Sequence, residues 1–126
     1  MLYYDAADNA DPEEDAMEPG KRRPYEVADY EVLAETPVLR MVVLTLTAGQ
    51  EVPWHWHSNC TDTFFCMQGP MVVETRAPRQ LFELAPGETC AVPARRAHRV
   101  AGRNGGPCKF ALLQGVGAYD FNPLGG

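Results

Sequence analysis

Two imidazoles one residue apart, His55 and His57, are followed by the carboxylate of Asp62, and the chain's third histidine is His98. Imidazole nitrogens and carboxylate oxygens are ligands for borderline divalent metals. A set that converges from one side leaves positions open for water or substrate. Residues two apart in a strand face the same way, so His55 and His57 point together, with Trp54 and Trp56 on the opposite face. Asp62 follows a short polar turn, Ser58 to Thr61, and by the same alternation shares a face with Phe64, Cys66 and Gln68. The pair H-x-H alone is also compatible with two exposed polar residues on a sheet, and Asp62 alone with a turn-side charge. The chemistry therefore depends on what brings them together.

The elements that must do so read as strands. The segments "RMVVLTLTAG", "DTFFCMQG", "MVVETR", "QLFEL", "TCAVPA", "HRVAG" and "CKFALLQGVG" are short and rich in β-branched and aromatic residues. Gly49, Gly69-Pro70 and Pro86-Gly87 punctuate them. No stretch carries a helical period. Regular short strands with Gly and Pro between them predict an all-β antiparallel sandwich or barrel. On the last strand Phe110, Leu112 and Gln114 share a face. An inward Gln114 needs a partner, either backbone at the strand end or a substrate. Phe64 and Cys66 are expected to wall a pocket or fill the core, and Cys60 to be an exposed loop thiol. Tyr119 and Phe121 are expected to dock on the barrel or on a neighbouring subunit. Arg40 and Tyr30 have no assignable place.

Length and composition narrow the function classes. A chain of 126 residues, 45% hydrophobic, fits one domain with a real core. Residues 1–20 are acidic and end at Pro19-Gly20, which reads as a flexible or partner-docked arm preceding a domain over residues 21–126. The formal net charge of −6 argues against nucleic acid or an anionic membrane as partner. Arg95, Arg96, Arg99 and Arg103 form a local basic group, either a solvated face or a patch that attracts an anionic substrate. The chain lacks a signal-peptide pattern and an apolar run long enough to span a bilayer. Its four cysteines form no C-x-x-C pair, so a cytoplasmic protein with free thiols is expected.

The spacing of Gly49, His55, His57, Asp62 and Gly69 resembles the first cupin motif, G-x5-H-x-H-x3-4-E-x6-G, with Asp in place of Glu. Gly87, Pro93 and His98 resemble the second, G-x5-P-x-G-x2-H-x3-N, with Arg95 for the motif's Gly and Gly102 for its Asn. The resemblance implies a small jelly-roll β-barrel with His55, His57, Asp62 and His98 as ligands of one divalent transition metal, such as Fe, Mn, Ni or Zn. The shorter Asp62 is expected either to bind the metal or to serve nearby as a general base.

Two classes of function follow. One is a metal-dependent enzyme (dioxygenase, isomerase or lyase type) acting on a small oxygenated organic substrate, with Phe64, Cys66 and Gln114 lining its pocket. The other is a non-catalytic ligand-binding or sensing module. A metal-free, sugar-epimerase-like cupin is a weaker third reading, because such proteins generally lack the full ligand quartet. A sensing module would need a partner protein, which the acidic arm over residues 1–20 could dock; an arm that crosses to a twin subunit would instead give a homodimer, the expected assembly.

Overall fold

The computed structural model describes residues 25–124, so the expected acidic arm over residues 1–20 lies outside the described part. Its strands are β1 (Asp29–Thr36), β2 (Leu39–Leu46), β3 (Glu51–Trp56), β4 (Thr61–Gln68), β5 (Met71–Thr75), β6 (Gln80–Leu84), β7 (Thr89–Val92), β8 (His98–Gly102), β9 (Cys108–Gly115) and β10 (Asn122–Pro123). A 3-10 turn, Arg103–Gly105, joins β8 to β9, and no α-helix occurs among the described residues. The strands form two five-stranded sheets, ordered β1-β2-β9-β4-β7 and β10-β3-β8-β5-β6. Every pairing is antiparallel. Apart from the hairpins β1–β2 and β5–β6, each connection carries the chain from one sheet to the other. That alternation is the jelly-roll path, and the fold is all-β.

The alternation of side chains fills the space between the sheets. On β2, Val42, Leu44 and Leu46 face inward and are buried. They meet Phe64 and Cys66 of β4, Phe110 and Leu112 of β9, and Met71, Val73 and Val100 of the other sheet. Phe64 and Phe110 lie with ring centroids 5.7 Å apart and planes at 57°, within the range of favourable tilted aromatic pairs. The turn after β2 needs Gly49, whose φ of 84° suits a residue without a Cβ; Thr47 N also donates to Gln50 Oε1 at 3.0 Å. The turn after β6 uses Gly87 (φ 91°) in the same way, and there Ala85 N donates to Glu88 Oε1 at 2.9 Å.

Two details depart from the expectations. β1 is a separate strand hairpinned to β2, whereas only the β2 part announced itself. Its two-residue turn is Pro37-Val38, with Val38 N donating to Thr36 Oγ1 at 3.2 Å, and it contains no glycine to mark it. Gln68 does not share the inward face of Asp62, Phe64 and Cys66. A register shift between Cys66 and Gln68 breaks the alternation, and Gln68 is exposed.

Candidate metal centre

The histidines come from one sheet and the carboxylate from the other. His55 lies on β3 directly opposite His98 on β8, and His57 follows β3 by one residue. A register shift between Val52 and His55, at Pro53-Trp54, lets Val52 and His55 both face inward although they are three residues apart. Asp62, at the start of β4, is paired with Gln114 of β9. His55, His57, Asp62 and His98 are all buried, and one ligand atom from each lies within 4.8 Å of the other three.

Each imidazole is oriented by a backbone carbonyl. Nδ1 of His55 donates to Pro53 O at 2.7 Å, Nδ1 of His98 to Arg96 O at 2.9 Å, and Nδ1 of His57 to Asp120 O at 2.6 Å. With Nδ1 so occupied, each Nε2 is the atom left to face the centre, the arrangement that prepares imidazole for a metal. Nε2 of His57 and Nε2 of His98 each stand 2.9 Å from Asp62 Oδ2, and Gln114 Nε2 donates to Asp62 Oδ1 at 3.1 Å. Two nitrogen lone pairs cannot both face a carboxylate oxygen without something positive between them. Either protons or a cation must supply that charge. Three oriented Nε2 donors and a carboxylate therefore suit a divalent ion, which takes the place of the protons.

The electrostatics follow. Burial alone would raise the Asp62 carboxyl, but hydrogen bonds from His57 and His98 outweigh it and hold the group well below the usual carboxylate range. Burial lowers His57, yet the hydrogen bond and charge of Asp62 leave it raised overall. His55, which has no hydrogen bond to the acid, is pushed down to about 3 by burial and by the neighbouring His98. The one-methylene-shorter acid thus reaches the cluster, because β4 begins at Thr61 and carries Asp62 straight to it.

A cavity of about 10 Å³ lies against the cluster, room for a single water. Phe64 and Gln114 line it. Cys66 does not: it is buried beside the turn after β4, where a Cβ on Gly69 would meet its Sγ at 2.8 Å. Gln114 finds its partner in Asp62, not in strand-end backbone. Cys60 is buried and not an exposed loop thiol, and burial pushes it up to about 11.

Arg96, Arg99 and Arg103 have their partners away from the site. Arg96 donates to Pro78 O and Gln80 Oε1, while Arg99 and Arg103 pair with Glu51 and Glu83. Arg99 sits between the inward residues His98 and Val100, so strand parity turns it outward.

Arg95 takes φ 71°, the left-handed region, and its N–H donates to His57 O at 2.7 Å, tying the turn before β8 to the loop after β3. A side chain with a Cβ is strained there. Arg95→Gly is therefore expected to stabilise the fold by about 0.5–1 kcal/mol, read as a higher urea midpoint at unchanged slope. A lower midpoint would show that the Arg95 side chain contributes more than its backbone strain costs.

The residues that strand patterns did not assign to the site come from the segment after β9. Phe121 stacks on His55 with centroids 4.6 Å apart and planes at 19°, and Tyr119 lies 5.4 Å from the His57 ring. Asp120 accepts from Ser58 N at 2.8 Å and Ser58 Oγ at 2.5 Å while its carbonyl holds His57. The aromatic content of this segment was the available signal, and the docking lands on the ligands themselves.

The family model described as Cupin domain (Cupin_2) matches residues 42–114, more than half of the chain. This protein is a cupin. A comparison with curated proteins gives no match. Among solved structures, this cupin is similar to a cupin superfamily protein from Desulfitobacterium hafniense DCB-2, with 22% identity, coverage of 76% of this chain and 83% of that one, and a TM-score of 0.63. It is also similar to KdgF from Halomonas sp. (19% identity, 75% and 88% coverage, TM-score 0.60). The oxalate decarboxylase of Lactobacillus farciminis, solved as a formate complex, matches at 17% identity over 69% of this chain and 27% of that one, with a TM-score of 0.61. At these identities the structures speak to the fold of this cupin and leave its chemistry to the site.

Proposed function

We propose that this cupin is a metal-dependent enzyme acting on a small oxygenated organic substrate, by dioxygenase, isomerase or lyase chemistry. One observation carries the reading: four buried donor groups from two sheets meet at one point, and each imidazole is held by a carbonyl so that Nε2 faces inward. His55, His57, His98 and Asp62 would hold the ion. Bound there, a divalent metal supplies Lewis acidity or oxygen activation. Gln114 fixes Asp62 through Oδ1, so Oδ2 is the atom that ligates or, for a reaction needing a base, takes a proton. Phe64, Val100, Phe110 and Leu112 exclude bulk water from the inner wall. A structural relative named as an oxalate decarboxylase supports enzymatic use of this fold.

The test is elemental analysis of untagged protein purified without added metal, alongside His55→Ala, followed by oxygen-uptake and turnover assays on small organic acids and dicarbonyls. About one ion per chain in the wild type and none in the variant is the expected result. Full activity after chelation, or an empty wild-type site, defeats the proposal. The small cavity favours a second reading, a non-catalytic ligand-binding or sensing module; metal retention with no turnover of any substrate tried would support it. We also propose a homodimer. Among the described residues β1 is an edge strand, and Val32, Leu33, Val38 and Leu39 of the β1–β2 hairpin expose apolar surface that a second copy would cover. Sedimentation equilibrium should give twice the chain mass; a monomer at tens of micromolar would count against it.

A further inference from the structure

Resting on the enzymatic reading of this site, we propose that Arg40 anchors a carboxylate of the substrate, at a position that the Tyr119 ring covers in the present conformation. Three observations lead there. The first is position. Arg40 pairs with Gln114, and Gln114 with Asp62, so the three stand abreast on β2, β9 and β4 with their side chains on the same inward face. Adjacent strands are about 4.8 Å apart, so Arg40 and Asp62, two strands apart, are separated by about 10 Å of backbone. A small molecule with a carboxylate at one end and an oxygen donor a few bonds away spans from the guanidinium towards the metal donors.

The second observation is charge. The Arg40 side chain is only 12% exposed, against 29% for Arg99 and 52% for Arg103. Among the described residues its acidic neighbour is Glu35, which stands 3.7 Å from Nε and is itself 57% exposed. Among the described residues, the buried Nε has no hydrogen-bond acceptor. A terminal nitrogen donates to the Tyr30 hydroxyl. A guanidinium offers five N–H donors in a planar fork that matches a carboxylate, and among the described residues its hydroxyl partners, Tyr30 and Tyr119, are neutral.

The third observation is the cover. The Tyr119 ring packs 4.1 Å from the Arg40 guanidinium carbon, and Tyr119 also lines the small cavity beside Asp62, Gln114 and His57. Among the described residues, the Tyr119 ring and the Gln114 amide thus stand between the largely buried cation and the metal donors. A cavity with room for one water cannot admit an organic acid. A movement of Tyr119 would enlarge the cavity and uncover Arg40 in the same step. Three of the arginines beside His98, namely Arg96, Arg99 and Arg103, are engaged with Pro78, Gln80, Glu51 and Glu83, and Arg95 is exposed, whereas Arg40 is a largely buried cation on the inward face.

The test uses the full chain loaded with Co(II), whose visible absorption reports its coordination. Calorimetric titrations are run with pyruvate and with hydroxyacetone, which replaces the carboxylate by a neutral group. Wild type should bind pyruvate at least tenfold more tightly than hydroxyacetone. Arg40→Gln should abolish that preference while leaving hydroxyacetone affinity, the Co(II) spectrum and Co(II) affinity unchanged. Arg40→Lys keeps the charge but not the fork, and should retain part of the preference. Tyr119→Ala uncovers the guanidinium and should tighten pyruvate binding severalfold. A wild type without the preference, or an Arg40→Gln protein that keeps it, overturns the assignment. The metal reading fails separately: a wild type that takes up no Co(II) refutes it, and pyruvate selectivity measured on that metal-free protein still judges Arg40.

Discussion

His98→Ala is expected to lower metal affinity by at least a hundredfold and to leave the purified protein essentially free of bound ion. The expectation follows from how His98 is used. It is one of three imidazole donors, it is buried, and it is one of two that hold Asp62 Oδ2, at 2.9 Å. Loss of a partner outside the ligand shell already costs ten- to a hundredfold in known metal sites, so loss of a ligand costs more. The alanine also leaves a void beside the buried carboxylate, with His57 as its remaining imidazole partner. In the metal-free protein this exposes the cost of a buried, half-compensated charge, so the variant should also unfold at lower urea. Equilibrium competition with a chelator of known affinity measures the first effect, and a urea curve the second. Wild-type metal content in a folded His98→Ala protein would remove His98 from the ligand set.

Phe110→Ala is expected to cost about 3–5 kcal/mol, a large part of the about 5–15 kcal/mol that holds a domain together. Phe110 is wholly buried on β9, packs against Phe64, and forms part of the cavity wall. Neighbours anchored in two hydrogen-bonded sheets cannot collapse into the space it vacates, which places the loss at the upper end. The melting temperature should fall by roughly 10–25 °C. The metal donors do not include Phe110, so the variant that remains folded in the cold should still take up an ion. A loss below 1 kcal/mol would show that the sheets close over the gap.

Much of this was legible in the chain because strand alternation is a strong constraint. The inward run Asp62, Phe64, Cys66 and the inward run Phe110, Leu112, Gln114 are both buried where parity put them. The H-x-H pair faces inward with both tryptophans half-exposed on the other side. What resisted reading were places where the backbone breaks its own period or where contacts come from far along the chain. The irregularity at Met67 exposes Gln68, and the one at Pro53-Trp54 re-aims His55; neither carries a glycine signal. Pro37-Val38 makes a tight hairpin without a glycine. Cys60 is buried although its loop is polar. Arg40 and Tyr119 meet across nearly eighty residues of chain, and no local pattern announces such a pairing.

The three carbonyl braces differ in reach. His55 and His98 are each steadied by a residue two positions earlier, so each strand carries its own fastening. His57 is steadied by Asp120, 63 positions later. During synthesis, a nascent chain that has emerged only as far as Gln114 possesses every donor atom and the wall of Phe64, Val100, Phe110 and Leu112, yet the His57 imidazole lacks its carbonyl brace. An ion held by these four residues would therefore be expected to bind tightly only once Asp120 has arrived, when the barrel around it is built.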